Sequence, residues 1–589
     1  MKKIYPTPRS APRVSSAAAL VLALLSANSA SAAAKTWEGN TNGSLTVGSN
    51  WVGGIAPISS TDALVFGVAG TAGTSLTLGT GFSATNAAGG TQAIHFTAGA
   101  SAYTFNGSGQ LTAATGGLRN ESGQLQTFNN PFRFSTGNTH NIFNPNSALV
   151  FNGAATLNNT TNTFALGGST GQSITFNGNV DGTLRALTLN GGAQASTVSI
   201  NGSANTGIAT LNIGSNIRVN LGSTTALGSA TTVTLNGGNA TVANTAGSPF
   251  STNASLAFNA TSQAYAFGAS GHTSANNLTF AGSGAISADQ SRTLTLNGTG
   301  LTVTSASTWN NTVTGSRTLN VNGAGNTFAL AGLAIGASGE TSNVTLTIGG
   351  SANLTLSSGV TNGLGTGTRS LQVFNAGTFT INGSSNYTGT TGIGSDANLI
   401  VNGTHAGGGN YTVQGSFGGG GTVNLSANNA ALGFTASGVN RRLIADSTDT
   451  LTFVGGASDV LNLTNAAGRE DGNQSFFFTL GAPGSTVVNV QGGLNIGSGT
   501  LNFDDFAFAT GTGFGAGVYN LFGYTSIAGS MGAALSGTVG GFDATISNDI
   551  LNSAVILTVS AIPEPSSFAV FAGLGAVSVA GLRRRRRVV

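Results

Sequence analysis

The groups that could bind a metal ion or act as a nucleophile are few in this chain. It has 589 residues, with four histidines and no cysteine. His95, His140, His272 and His405 lie far apart, and none has a second histidine at the short spacing typical of metal ligands. Without cysteine, disulfides and thiol chemistry are unavailable. We therefore expect the histidines to be surface or stacking residues, and we predict no metal and no cofactor.

Acidic residues are concentrated late in the chain, where they could form a carboxylate site. Glycoside hydrolysis needs two carboxyl groups about 5 to 9 Å apart, and a polysaccharide lyase would need basic residues on the same face. Asp also favours turns, and charge protects exposed sheet edges. We prefer this turn and cap interpretation and predict no enzyme activity, with at least one carboxylate of Asp504-Asp505 facing solvent. The residues concerned are Arg441, Arg442, Asp446, Asp449, Asp459, Arg469, Glu470, Asp471, Asp504 and Asp505.

Glycine-rich runs are a second possible source of chemistry. Gly407–Gly409 and Gly418–Gly421 contain no acidic residue, so they lack the Asp that repeat calcium sites require. No lysine follows a glycine loop in the manner of a phosphate-binding loop. Trp37, Trp51 and Trp309 are scattered, and the phenylalanines occupy strand positions, so a core role is expected for the aromatic residues.

The interior of the chain is built from short runs that alternate apolar and polar residues. Examples are Leu187–Asn190, Ile217–Leu221 and Val344–Ile348. Alternation with period two is typical of strands with one buried face. Because no interior stretch shows a sustained helical period, the pattern predicts a nearly all-β chain.

Many of these runs end in an apolar residue followed by Asn-Gly. Most of the gaps between successive asparagines lie within two residues of a multiple of 12, which predicts a unit of one strand and one turn. Asn and Gly are expected there because such turns need positive φ. The asparagines are Asn106, Asn152, Asn177, Asn190, Asn201, Asn236, Asn297, Asn322, Asn382 and Asn402.

Fixed-period similarity over hundreds of residues favours stacked coils, in which Asn and Thr at equivalent positions form ladders. Asn162–Leu166, for example, returns as Asn326–Leu330. We predict an elongated parallel β-helix, or β-solenoid, of imperfect short repeats over 33–440. Residues 441–560 would form a C-terminal β region that is a cap or a small β domain. The alternative is a series of antiparallel β-sandwich domains, since Asn-Gly also favours hairpins.

The two ends have the composition of targeting segments. Residues 1–32 contain a basic start, the short apolar run Ala17–Leu25, and Ala30-Ser31-Ala32, which fits a signal-peptidase site at Ala30 and Ala32. Residues 561–589 contain Pro563-Glu564-Pro565, an apolar run that is expected to form a transmembrane helix, and a basic cluster. The basic cluster is Arg583, Arg584, Arg585, Arg586 and Arg587.

The order of motif, apolar helix and arginine cluster resembles the PEP-CTERM sorting signal. That resemblance implies a membrane enzyme of the exosortase type that cuts near the motif and releases or transfers the protein. Tail anchoring without cleavage is the simpler alternative.

Two further stretches resemble proteins with autotransporter-associated β-strand repeats. The first is the opening segment, with Trp37, Gly39, Asn50-Trp51, Gly54, Pro57, Asp62 and Phe66. The second is Asn386–Ile393 followed by Asn398–Gly403, in which Gly389-Thr390-Thr391 replaces the usual Gly-Gly-Thr. Autotransporters end in a β-barrel translocator, whereas this chain ends in the sorting segment. The resemblance implies a link to cell surfaces, extracellular polymer and biofilm.

The net charge of the chain depends on its ends. The formal net charge is +3, but removing the four basic residues of the signal, the five tail arginines and Glu564 leaves 11 basic and 16 acidic residues, a net charge of −5. A basic patch for nucleic acid is therefore not expected.

These observations predict a non-enzymatic, exported structural protein, anchored transiently in the inner membrane and then located at the cell surface or in the matrix. Its partners would be the export machinery, signal peptidase, a sorting enzyme and extracellular polysaccharide. The alternatives are an adhesin or carbohydrate-binding protein and, third, a β-helix enzyme that degrades polysaccharide.

Overall fold

The computed structural model describes residues 33–561 apart from 87–91, 136–138, 168–170, 182–184, 229, 260–263, 338, 427–428, 437–439, 457–459 and 468–472. This described part is all-β and contains no α-helix. The segment predicted to be a signal peptide, 1–32, and residues 562–589 of the segment predicted to be a sorting signal lie outside it. No helix in the described ranges has the length and apolar character needed to cross a bilayer. The chain divides into two compact units, Met1–Thr197 and Val198–Val589, which together contain about 16 solenoid turns.

The first unit contains strands β1 to β17. They are Ala34–Trp37, Ala63–Phe66, Ser75–Thr77, Phe82–Ala84, Ile94–Phe96, Thr104–Asn106, Leu111–Ala113, Leu118–Asn120, Leu125–Phe128, Phe132–Phe134, Thr139–Ile142, Ala148–Phe151, Ala155–Leu157, Thr161–Leu166, Ser173–Phe176, Val180–Asp181 and Arg185–Gly191.

Strand β18 (Ser196–Ile200) crosses the division in the sequence, and β19 to β52 follow in the second unit. Strands β19 to β35 are Ile208–Ile213, Ile217–Leu221, Thr232–Leu235, Ala240–Asn244, Phe250–Thr252, Ser255–Phe258, Ala264–Gly268, Leu278–Phe280, Ala285–Ala288, Arg292–Asn297, Thr302–Asn311, Arg317–Asn322, Thr327–Gly336, Val344–Gly350, Asn353–Gly363, Arg369–Val373 and Thr378–Ile381. Strands β36 to β52 are Thr391–Ile393, Asn398–Val401, Thr404–His405, Tyr411–Val413, Ser416–Gly418, Thr422–Asn424, Leu432–Phe434, Arg442–Asp446, Leu451–Val454, Leu461–Asn462, Phe476–Leu480, Thr486–Leu501, Phe506–Thr510, Gly517–Met531, Ser536–Val539, Phe542–Asp549 and Ala554–Ser560.

In the first unit, successive strands of a coil belong to different sheets, and each sheet runs from coil to coil by parallel pairing. In the first unit the strands fall into three sheets, so that β10, β11 and β12 lie one in each. Phe105 pairs with Phe128, Phe128 with Phe151, and Phe151 with Phe176, so one coil takes 23 to 25 residues there. The predicted parallel solenoid is confirmed, and the alternative of antiparallel sandwiches is wrong.

The predicted unit of one strand and one turn per 12 residues is wrong in this unit, because three strands share each coil. Strands such as Leu111–Ala113 have only three residues, which is too short to show a period in the sequence. The Asn-Gly pattern marks only one of the three corners of a coil, so it does not reveal the other two corners or their strands.

The parallel stack continues on both sides of residue 440. Strand β40 pairs in parallel with β43, and β46 with β48, so these coils join the region that begins at Arg441 to the preceding repeats. Antiparallel pairing begins at β49, which pairs in parallel with β47 and antiparallel with β52. Strands β50 to β52 complete a small antiparallel sheet at this end.

Alternation along the strands determines what is buried. In β32 the apolar residues Val344, Leu346 and Ile348 are buried, and the threonines between them are half-exposed. In the first unit, Phe105, Phe128, Phe151 and Phe176 form a continuous column of stacked rings, with centroids 4.9, 5.0 and 5.3 Å apart. The core of this unit therefore contains a stack of aromatic rings at the same position of successive coils.

The opening segment closes the first coil. Trp37 and Trp51 are buried and meet edge to face, with ring centroids 5.1 Å apart. The Asn50 side chain accepts hydrogen bonds from the backbone N–H groups of Thr41 and Asn42, at 2.8 and 3.1 Å. Asp62 accepts from the N–H of Ala33 in the same way. The loop also pairs with β1, since the N–H of Val52 donates to the Thr36 carbonyl at 2.9 Å, on the side of β1 away from β2.

Candidate functional site

The most regular polar feature of the described surface is a ladder of asparagines in the first unit. The side-chain amide of Asn129 donates to Asn106 Oδ1 at 2.7 Å, Asn152 donates to Asn129 at 2.7 Å, and Asn177 donates to Asn152 at 2.8 Å. Each asparagine directly follows a phenylalanine of the stacked aromatic column. The outer ladder and the inner column therefore repeat with the same period and hold the same coils together.

Three of these asparagines were expected from the Asn-Gly pattern, but Asn129 was missed. It is followed by Asn130-Pro131 in place of glycine. The sequence feature that could have identified Asn129 is its position directly after Phe128, 23 residues beyond Asn106. In the second unit the expected residues Asn402 and Asn382 form a similar pair, with the Asn402 amide donating at 2.9 Å.

Only some of the glycines that follow these asparagines have the positive φ expected from turn geometry. Positive φ occurs at Gly107, Gly298 and Gly323. At Gly153 the reason for glycine is instead close approach, because an added Cβ would lie 2.3 Å from the carbonyl oxygen of Asn130. Gly178 is in the same situation, with Gly153 O at 2.2 Å. The expectation of positive φ is wrong at these corners, where the coils are too close for a side chain.

The four histidines have three different environments. His140 is fully buried against the rings of Phe134 and Phe164, at 4.6 and 4.9 Å, and its Nδ1 accepts a hydrogen bond from the N–H of Leu118. Burial lowers the pKa of His140 to about 3, so the ring is neutral at physiological pH.

His95 lies partly exposed and contacts Glu121 at 2.8 Å. Burial also lowers the pKa of the half-buried His272, and Arg218 adds to this effect.

His405 belongs to a buried network around the repeat-like segment Asn386–Ile393. The hydroxyl of Tyr411 donates to His405 Nδ1 at 2.6 Å, and His405 Nε2 donates to the Tyr387 carbonyl at 3.0 Å. The hydroxyl of Tyr387 meets Thr391 Oγ1 at 2.6 Å. Burial lowers the pKa of His405, raises the pKa of Tyr387 to about 12 and also raises the pKa of Tyr411, so these three groups are neutral at physiological pH. The network satisfies polar groups in the core of the coil.

Asp446, the last residue of β43, and Asp449 lie at the two ends of the turn that follows this strand. Asp446 Oδ1 accepts from the N–H and the hydroxyl of Thr448, which is a turn of the Asx type. Asp446 and Asp449 line an open groove whose described lining contains neither arginine nor histidine.

The two arginines of the region have other contacts. The side chain of Arg442 lies over the ring of Phe477, 4.7 Å from its centroid, and the buried Arg441 donates to the Thr435 carbonyl.

Asp504 and Asp505 lie in a short 3₁₀ turn, Phe503–Asp505, and not in a continuous strand. Asp504 is exposed, whereas Asp505 is buried and accepts a hydrogen bond from the N–H of Asn502 at 2.8 Å. Asp459, Arg469, Glu470 and Asp471 lie outside the described residues. In the described part, no group of three or more His, Asp or Glu residues could hold a metal ion.

The tryptophans form no exposed surface. Trp37, Trp51 and Trp309 are all buried, as expected for core residues. The residues of the expected processing sites, Ala30, Ala32, Pro563, Glu564 and Pro565, lie outside the described range, as do Arg583 to Arg587.

Comparison of the chain with protein-family models, curated proteins and solved structures finds no match in any of the three. The geometry of the described residues is the remaining guide to function. In that geometry, the polar side chains of the ladder bond to their equivalents in the next coil.

Proposed function

We propose that this protein is an exported structural component of the cell surface or extracellular matrix, and that it works through its repetitive fold without catalysis. The observation that carries this proposal is the Asn106–Asn129–Asn152–Asn177 ladder with its parallel column of phenylalanines. Chemistry at a site requires several different side chains to converge on one point. Here identical side chains are spaced one per coil.

Such a ladder suits a protein that must persist outside the cell without disulfides. Each amide bonds to the equivalent amide of the next coil, and backbone pairing between coils adds many more hydrogen bonds. Charged residues make up only 6% of the chain, so little of its stability depends on ion pairs. Repeat proteins derive stability from contacts between neighbouring repeats, which fits a structural role.

The delivery route is part of the proposal and rests on the sequence. A signal peptidase would cut after Ala32, at the Ala30-Ser31-Ala32 pattern, and an exosortase-type enzyme would cut near Pro563-Glu564-Pro565. The arginine cluster would hold the apolar segment in the inner membrane until that cut. The mature chain, with its net charge of −5, would then enter the surface layer or the polysaccharide matrix.

The test is the intact mass of the full chain from its native host, measured separately in cells, envelope and culture matrix. Loss of about the first 32 residues and of the residues after about Pro565, with the protein in the matrix, is the expected result. A variant with Pro563, Glu564 and Pro565 replaced by alanine should keep its tail and stay in the membrane fraction.

Replacement of Thr345 by alanine, far from both ends, is the matched control and should be processed normally. A native chain that keeps its arginine cluster and stays in the inner membrane would overturn the sorting route. A catalytic turnover of matrix polysaccharide by the purified chain would overturn the structural role.

A further inference from the structure

One aromatic side chain is conspicuous on the surface of the second unit. Phe374 follows β34 directly and has 58% of its surface exposed. Every other described Phe, Tyr and Trp side chain is buried or half-buried. In β34, Leu371 and Val373 point inward and Gln372 points outward, so Phe374 is an apolar residue in an outward position. A large exposed aromatic ring in such a chain is informative, because most aromatic residues gain stability from burial.

The next coil leaves room for this ring. Gln372 is in register with Gly392 of β36, and the position of Gly394 follows beside Phe374. An added Cβ at Gly394 would lie 2.4 Å from Cδ1 of Phe374, and one at Gly392 would lie 2.1 Å from Oε1 of Gln372. The two side chains therefore lie over the glycines, and more than half of the Phe374 side chain remains open to solvent.

The coil after that forms the opposite wall. Gly392 is in register with Thr412 of β39, and Gln414 follows on the side of Phe374. Together these residues line an open groove of about 290 Å³, near the lower end of the volumes of small-ligand sites. We call it the Phe374 groove.

The floor of the Phe374 groove is held from both sides. The N–H of Gly394 donates to the Val373 carbonyl at 2.8 Å, and the N–H of Gln414 donates to the Ile393 carbonyl at 2.8 Å. From inside, Thr391 is fixed by its contact with the hydroxyl of the buried Tyr387, at 2.6 Å. The groove is thus built on paired strands, so a ligand would meet a preorganised surface.

The chemistry of the groove is neutral. Its described lining contains glutamine amides, threonine hydroxyls and an aromatic face, with no charged side chain. Glutamine amides offer both donors and acceptors, and hydroxyls do the same. The face of an aromatic ring carries partial negative charge and attracts the weakly positive C–H groups of an apolar face. A sugar ring presents both features: hydroxyls around its edge and a face of C–H groups.

We propose that the Phe374 groove binds a neutral saccharide, with one sugar ring on the exposed face of Phe374 and its hydroxyls bonded by Gln372 and Gln414. An extended peptide fits less well, because β34, β36 and β39 are paired in sequence and present no free backbone edge. Binding of an anion has no cation to support it in this lining. The proposal goes beyond the structural role, which would stand without a ligand.

The test uses the full chain and an array of neutral oligosaccharides, followed by titration calorimetry with the hexasaccharides that bind. Phe374→Ala should weaken binding about tenfold or more, because the stacking surface is lost. Phe374→Trp should preserve binding. Gly394→Ala should also weaken it, since the new methyl group would displace the ring without removing it.

Leu364→Ala is the matched control: Leu364 is apolar and 79% exposed but does not line the groove, so binding should be unchanged. Circular dichroism of each variant checks that the fold is retained. Absence of saturable binding to any neutral oligosaccharide on the array would overturn the proposal. Equal affinities of Phe374→Ala and the native chain would also overturn it, as would binding to polygalacturonate that is insensitive to Phe374.

Discussion

At the scale of single residues, the interior of this protein uses two histidines as neutral packing elements. His140 fills a position between two phenylalanines, and His405 bridges a tyrosine hydroxyl and a backbone carbonyl. The ring nitrogens of His405 and Nδ1 of His140 are held by donors and acceptors that suit the neutral form. Protonation of either ring would place a charge in an apolar environment, which is costly.

His140 gives this cost a measurable consequence. The unfolded chain binds a proton at a histidine below about pH 6.5, whereas burial lowers the pKa of His140 in the folded chain to about 3. The contribution of His140 to the free energy of unfolding is therefore fully present above pH 6.5 and decreases as the pH falls toward 3. Urea denaturation followed by circular dichroism at pH 7, 5.5 and 4.5 should show a falling midpoint, with a total contribution on the order of several kcal/mol.

His140→Gln, which keeps an acceptor for the N–H of Leu118, should remove much of this pH dependence. His272→Gln is the control and should remove little, because His272 is only partly buried and its charge is screened by solvent. If the urea midpoint of the His140 variant falls with pH as steeply as that of the native chain, other groups determine acid unfolding.

At the scale of the element, the Asn-Gly corners of Gly153 and Gly178 are places where two backbones approach more closely than a side chain allows. The Asn-Gly pairs combine a ladder amide with a glycine that lies against the carbonyl of the preceding coil. Gly153 is the clearest example, with Asn130 O 2.3 Å from the position of a Cβ.

Gly153→Ala should therefore destabilise the first unit by about 1 to 3 kcal/mol through forced separation of two coils. Gly79→Ala is the matched control in the same unit, since a Cβ there has no neighbour within 4 Å, and it should be nearly neutral. The measurement is the midpoint of thermal unfolding for the two variants and the native chain. Equal thermal midpoints for the two variants would mean that the corner at Gly153 accommodates the methyl group without a loss of stability.

The same elements show what the sequence could predict. Alternation in Val344–Ile348 predicted strands with one buried face, and the recurring apolar-Asn-Gly pattern predicted stacked coils with ladders. Parallel pairing could not be separated from hairpins, because both place Asn-Gly between strands. Strands of three residues are too short to show the alternation of apolar and polar residues, so the sequence does not reveal how many there are. Asn129 was missed because no glycine follows it, and Phe374 was missed because its exposure depends on Gly394 in the next coil.

At the scale of the whole molecule, the dominant property is a scarcity of charge. Charged residues are 6% of the chain, against about 25% in ordinary globular domains. The ion pairs in the described part include His95 and Arg119 with Glu121, and Arg292 with Asp289. Cohesion must therefore come from apolar burial and from hydrogen bonds between coils, neither of which is screened by salt.

The response of the processed chain to salts tests this balance. Sodium chloride between 0.02 and 0.5 M should change the thermal midpoint by less than about 2 °C, because screening acts on charges that contribute little. Sodium sulfate at the same ionic strength should raise the midpoint, since sulfate is excluded from protein surfaces and strengthens apolar burial.

Glu121→Gln provides the control, because it removes the charge that both His95 and Arg119 contact. If ion pairs were important, this variant would lower the midpoint at low salt and lose the difference at high salt. A strong dependence on sodium chloride in the native chain would contradict the argument, and would place the cohesion of the coils in the few charged residues instead of in the ladders and the aromatic column.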